Sequence, residues 1–261
     1  MNIGYLGFGQ MGSAIAEGLA AFCPEVRSGA VVQYAWAPHA EKLHKRAEPL
    51  SVHPCDEVYE LIHTCDMLIV ACKPFRVDEA LRGLDLKGKA LISIVNAWTL
   101  ADYKHLLGDS VRVQCIMPNT PVRVGRGTIL LAEENDLLPE ERKQLKNLLG
   151  SVASLVEMPE ASIPAACAIS GCGPAFLYMV IEALGDAGVK YGLSRRAAYE
   201  LAAGAMVGAG EMVLRDPDSH PAALKDAVCS PGGTTIRGVA ALEQGGMRSA
   251  FIKAIDATLG Y

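Results

Sequence analysis

The stretch Asn2-Ile3-Gly4-Tyr5-Leu6-Gly7-Phe8-Gly9-Gln10-Met11-Gly12 reads as a short apolar strand running into G-x-G-x-x-G. Residues 13–22 follow with apolar side chains at helical spacing. Strand, glycine turn and helix in this order form the dinucleotide fingerprint. Gly7 permits the tight turn, Gly9 lets a pyrophosphate approach the backbone, and Gly12 packs the helix on the strand. Phe8, Gln10 and Met11 share the turn and count with the glycines as cofactor-binding residues. A lone G-x-G-x-x-G is weak evidence, but this one has both flanking elements. Its bland reading is a strand-to-helix turn that holds no ligand.

The second strand is expected over residues 31–36. NAD enzymes usually end this strand in Asp or Glu, which binds the ribose 2′-OH. Ala35-Trp36-Ala37-Pro38-His39 has no acid, so a 2′-phosphate meets no repulsion. His39, Lys42 or Lys45 can supply positive charge, or they simply start a solvated helix. NADP(H) is favoured, NAD(H) is also accommodated, and Ala37 is assigned to the cofactor.

A helix is expected over residues 56–64 and a buried strand over 67–72, ending in Lys73-Pro74. Lysine at the carboxyl end of a central strand lies where α/β sheets bind ligands. Otherwise it is a surface residue before a turn. Residues 77–84 read as helix and 90–95 as strand. Asn96-Ala97-Trp98-Thr99 follows at the same edge, with Thr99 capping a helix over 100–107. A strand over 111–117 runs into Pro118-Asn119-Thr120-Pro121, whose prolines hold Asn119 and Thr120 rigidly. That segment is a cofactor contact or only a rigid connector. Strand 128–132, helix 139–149 and strand 152–157 complete the pattern. Strands alternating with helices give a doubly wound α/β sheet, and the first domain is placed at residues 1–158.

Beyond Pro159 the strand signals vanish. Helices are expected over residues 162–170, 175–190 and from Ser194 to about residue 214, and the second domain, 159–261, is all-α. The 175–190 helix is apolar nearly all round apart from Glu182 and Asp186. Ala202, Ala203, Gly204, Ala205, Gly208, Ala209 and Gly210 make the next one small-sided. Such helices must be buried, and about a hundred residues struggle to bury two of them alone. A homodimer interface is expected here, in preference to an ordinary internal helix pair.

Composition narrows the function. Net charge is −5 with few aromatics and no basic block, which argues against nucleic acid. The eight cysteines have no C-x-x-C pair, the six histidines are scattered, and no metal site is expected. The cysteines read as core residues of a reduced, cytoplasmic protein. The early glycines and a first basic residue at Arg27 are unlike a signal peptide. No uncharged apolar stretch of spanning length is expected, and hence no membrane partner.

One more stretch carries chemistry: Cys229-Ser230-Pro231-Gly232-Gly233-Thr234-Thr235. Pro231 lacks an N–H, Gly232 and Gly233 can take φ > 0, and a helical pattern runs from Ile236. Free N–H groups at a turn entering a helix form an anion-binding concavity. The alternative is a glycine turn with threonine as the helix cap.

These motifs together resemble the Δ1-pyrroline-5-carboxylate reductase family. The matching residues are Gly7-x-Gly9-Gln10-Met11 with Ala14-Ile15; Lys73-Pro74; Met117-Pro118-Asn119-Thr120-Pro121; Ser170-Gly171-Cys172-Gly173-Pro174-Ala175; and Leu224-Lys225-Asp226 leading to Ser230 through Thr235, with Gly245-Gly246-Met247-Arg248 beyond. The last long motif is highly specific, whereas the first is common to many dehydrogenases. The resemblance implies an N-terminal Rossmann domain and a helical domain that interlocks with a second copy, with the active site between them. Rings of dimers are common in the family. The implied reaction is hydride transfer from NAD(P)H to the C=N carbon of an imino acid, giving L-proline.

Three positions depart from the family pattern. Val95-Asn96-Ala97-Trp98 stands where small residues and a glycine are usual beside the nicotinamide. Ala227 replaces a common Asn or Gln, and Cys172 replaces a serine. Asn96 is nevertheless assigned to the cofactor.

Reduction of a protonated imine needs orientation more than acid–base help. The carboxylate needs donors, offered by Ser230, Gly232, Gly233, Thr234 and Thr235. The ring N–H⁺ needs an acceptor, and the resemblance assigns this role to the Thr235 hydroxyl as the catalytic group. Asn119 and Thr120 are expected at the nicotinamide end. A β-hydroxyacid dehydrogenase is the enzymatic rival, but residues 175–182 lack the lysine it needs. A non-catalytic NADP-binding sensor is the other.

Overall fold

Parallel strands covered on both faces must be apolar on both, and the central strands here are. The computed structural model describes residues 1–216, 218 and 220–260. Its first compact unit, Met1–Gly171, contains β1 (Asn2–Leu6), α1 (Gln10–Phe22), α2 (Pro24–Arg27), β2 (Val32–Trp36), α3 (Ala40–Ala47), β3 (His53–Pro54), α4 (Val58–Thr64) and β4 (Met67–Val70). It continues through α5 (Val77–Leu81), β5 (Ala90–Ser93), α6 (Leu100–Leu107), β6 (Arg112–Pro118), β7 (Gly127–Asn135), α7 (Pro139–Gly150), β8 (Ala153–Met158) and α8 (Ile163–Ser170).

The eight strands form one sheet in the order β3-β2-β1-β4-β5-β6-β7-β8. All pairs are parallel except β6–β7. Only a short 3₁₀ turn, Thr120–Val124, joins β6 to β7, too little chain for a crossover helix, so β7 must run back. The strand order reverses between β1 and β4, and this is the crevice where doubly wound sheets bind ligands. Ile15, Leu19, Leu145 and Leu148 pack in the core on one face. Leu61, Leu81 and Tyr103 pack on the other.

Helix α1 packs closely on this 3₁₀ turn. A Cβ at Gly18 would sit 2.2 Å from Val122 O. This glycine lets α1 rest on the turn that carries Thr120.

The second unit begins at Cys172. It comprises α9 (Gly173–Lys190), α10 (Arg195–Arg215), α11 (Pro221–Ala227), α12 (Thr234–Gln244) and α13 (Met247–Leu259). Ser194 caps α10, accepting from Ala197 N at 3.3 Å. Among its described residues only Gly185, Ala198 and Ala202 are buried. Leu177, Tyr178, Met179, Leu184, Leu201 and Val207 are all exposed in the single chain.

One expectation is corrected. Residues 161–181 carry no charge, and Glu160–Lys190 is long and apolar enough, by length and composition alone, to cross a membrane. Two helices do result, α8 and α9, but their combined composition is continuous.

Candidate active site

The glycine turn after β1 has the geometry its sequence demands. Gly7 has φ +96°, and a Cβ there would lie 2.9 Å from Ala71 C and 3.0 Å from Cys72 N. Its N–H donates to Trp36 O at 2.8 Å, tying the turn to the end of β2. A Cβ at Gly12 would be 3.0 Å from Gly7 O and 3.4 Å from Ala71 Cβ, so α1 seats directly on the turn. At Gly9 a Cβ would meet nothing within 4 Å, and the space there is open. No side chain caps α1 at Gly9, and its first turn has no acidic residue. The leading N–H groups are left for an anion.

Around this turn the carboxyl edge of the sheet gathers the expected residues of the first unit. Phe8 is buried, and its carbonyl accepts from Arg46 Nη1 at 2.8 Å. Arg46, in the last turn of α3, was not foreseen; its only sequence signal is the basic cluster there. Ala37 is half-buried, and His39, Lys42 and Lys45 are exposed beyond it. Lys73 is exposed at the end of the β4 segment and precedes a 3₁₀ turn, Pro74–Arg76. Asn96 is exposed after β5. Thr99 caps α6 in a reciprocal capping box with Asp102. The Thr99 hydroxyl and N–H together hold the Asp102 carboxyl below its usual range.

Asn119 is held differently from Thr120. Thr120 is exposed, whereas Asn119 is 7% exposed and both ends of its amide are used. Nδ2 donates to Ser170 O at 2.9 Å, and Oδ1 accepts from Thr128 N at 2.8 Å. It therefore joins the end of β6, the start of β7 and the last carbonyl of α8, an orphan group at a helix terminus.

The late loop, in the second unit, forms the entrance to α12. Gly232 takes φ +67°. Gly233 does not: it caps α12 at φ −68°. It has its own steric reason, because a Cβ there would lie 2.4 Å from Ser230 Oγ. The helix begins at Thr234, two residues before the expected Ile236, and has no side-chain cap. Thr234 and Thr235 thus occupy its first two positions, exposed, with hydroxyls that make no hydrogen bond among the described residues. A capping role for either threonine is ruled out, and Ser230 is exposed beside them. Lys225 pairs with Asp226 at 2.5 Å just upstream, and this hydrogen bond raises the Lys225 pKa.

The residues present fit a dinucleotide at the first glycine turn and a small anion at α12. Fold and crevice together define a dinucleotide-binding protein of the doubly wound α/β class. Residues 2–97 match the family described as NADP oxidoreductase, coenzyme F420-dependent, and residues 160–260 match pyrroline-5-carboxylate reductase dimerisation. The chain is 40% identical to a pyrroline-5-carboxylate reductase of Treponema pallidum, over 99% of both sequences. The solved pyrroline carboxylate reductase of Plasmodium falciparum, with NADP bound, superposes with TM-score 0.85 at 30% identity, covering 99% of this chain and 95% of that one. The enzyme from Streptococcus pyogenes gives 0.87 at 28% identity, covering 100% and 97%. The chain belongs to the pyrroline-5-carboxylate reductase family.

Proposed function

We propose that this protein reduces Δ1-pyrroline-5-carboxylate to L-proline with NADPH, the last step of proline biosynthesis. The observation that carries the reading is the full-length family match, joined to the unused hydroxyls and N–H groups at the start of α12. In this reading Gly7, Phe8, Gly9, Gln10, Met11 and Gly12 hold the pyrophosphate. Ala37 leaves room at the ribose, and Lys73, Pro74, Asn96 and Thr120 line the rest of the cofactor site. Asn119 contributes by holding β6, β7 and α8 together. Bound NADPH would supply the hydride.

The chain's own task is to hold the imino acid. The N–H groups at the start of α12 and the Ser230 hydroxyl receive its carboxylate, favoured by the helix dipole. The Thr235 hydroxyl oxygen accepts from the protonated ring nitrogen, stabilising the electrophilic form of the C=N bond. No titrating side chain is needed, because the ring nitrogen already carries the proton.

Residues 159–261 serve as the substrate-binding and dimerisation domain. The exposed apolar faces of α9 and α10 support a homodimer, and with it the apolar 160–190 segment faces protein and not lipid. A ring of dimers in the cytoplasm is the fuller form of this proposal, and the eight free cysteines suit a reducing compartment.

Following NADPH absorbance with pyrroline-5-carboxylate, against NADH and against 2- and 3-hydroxy acids with NADP⁺, tests the activity. Turnover of the imine alone is expected. Oxidation of hydroxy acids, or tight NADPH binding with no turnover, would overturn it.

A further inference from the structure

Trp98 stands in the loop after β5, where the family resemblance leads one to expect small residues. Its indole Nε1 donates to Pro74 O, in the loop after β4, at 3.1 Å. Its own carbonyl accepts from the Cys115 thiol of β6 at 3.6 Å. Its ring packs on Tyr103 with centroids 5.1 Å apart. Tyr103 is fully buried in α6, and its hydroxyl lies 2.7 Å from Ser93 Oγ on β5. Ser93 Oγ in turn accepts from Val95 N at 3.2 Å. The side chain thus ties the loop after β4 to α6 and, through Tyr103, to β5, while the Trp98 backbone carbonyl reaches the middle of β6. Beside it Ala97 sits at φ +62°, a conformation a Cβ-bearing residue keeps only where its surroundings enforce it.

We propose that Trp98 is a positioning residue for the cofactor: it braces Lys73-Pro74 against Asn96-Ala97, so the crevice is formed before NADPH arrives. This rests on the NADPH-binding reading above. Its energetic logic is population: if the brace is lost, only a fraction of molecules hold the competent arrangement, and apparent affinity falls by that fraction. Molecules that do bind react normally, so kcat is spared.

The test uses the full-length protein with Trp98→Phe, which keeps a ring and loses the N–H, and Trp98→Ala, which loses both. Three quantities are read: amide exchange of residues 75–77 without cofactor, NADPH affinity by fluorescence titration, and kcat at saturating NADPH. Trp98→Phe should speed exchange at Arg76 and Val77 and weaken NADPH binding about three- to tenfold, with kcat within about twofold. Trp98→Ala should do more; if it fails to fold, Trp98→Phe decides. Unchanged exchange and affinity in Trp98→Phe would overturn the proposal, as would a fall in kcat with affinity intact. Should the wild type bind NADPH but reduce no imine, the functional reading fails while exchange and affinity still judge the brace. A wild type that does not bind NADPH sinks both.

Discussion

Replacing Thr235 by alanine separates chemistry from folding. The hydroxyl makes no hydrogen bond among the described residues and caps nothing, so its loss strands no internal donor. Alanine is also the better helix former, by up to about 0.7 kcal/mol. The variant should therefore melt at or slightly above the wild-type temperature. Against this stands the loss of a hydrogen bond to a charged ligand, about 1.5–3 kcal/mol. In rate terms that is roughly a 10- to 150-fold fall in kcat/KM for the imine. Initial rates with varied pyrroline-5-carboxylate at saturating NADPH measure it, and Thr235→Ser, which keeps the acceptor, should stay much nearer wild type. If Thr235→Ala keeps kcat/KM within about twofold, the assignment of this hydroxyl to the ring nitrogen is wrong.

Gly7→Ala forces a Cβ into the positive-φ region and against the backbone of residues 71 and 72. It should cost about 2 kcal/mol or more in urea unfolding and weaken NADPH binding. Ala37→Asp restores the acid expected at an NAD-specific strand end and should shift the NADPH/NADH ratio of kcat/KM toward NADH by on the order of tenfold. Asn119→Ala leaves Thr128 N and Ser170 O unpaired, a loss of about 2–4 kcal/mol readable from denaturation midpoints. Burial raises the Glu141 pKa, but the Arg112 guanidinium and the Leu138 N–H outweigh it and hold the carboxyl below its ordinary value. A depressed folded pKa gives stability that is full above the ordinary carboxylate range and is lost as pH falls below that range through the lowered folded value. Glu141→Gln should be less stable at neutral pH and show a flatter acid limb in Tm against pH.

The strand, glycine turn and helix at residues 2–22 could be read directly, because a buried parallel strand and a tight turn each demand particular residue types. So could the β4 and β5 runs and the capping by Thr99. What stayed hidden depends on contacts between distant segments. Gly18 looks like any small helix residue until Val122 is placed against it. Asn119 reads as a rigidly held cofactor contact between prolines, yet its amide is spent on β7 and α8. The reversal of β7 follows from how short the 3₁₀ connection is, and alternation patterns do not report direction. At α12 the glycines correctly marked a turn, but which residue caps the helix was decided by the Gly233 backbone and not by threonine chemistry.

With three buried residues among those described in the second unit, that half has little interior of its own. The dimerisation family matched over residues 160–260 supplies a second copy as its cover, and stability gained that way follows mass action. Heating curves should move upward with protein concentration, and strong dilution should loosen α9 and α10 as well as separate the subunits. A newly made chain would carry this apolar surface in the open until it met its match, so synthesis rate and subunit encounter would set the yield of working enzyme as much as any single residue.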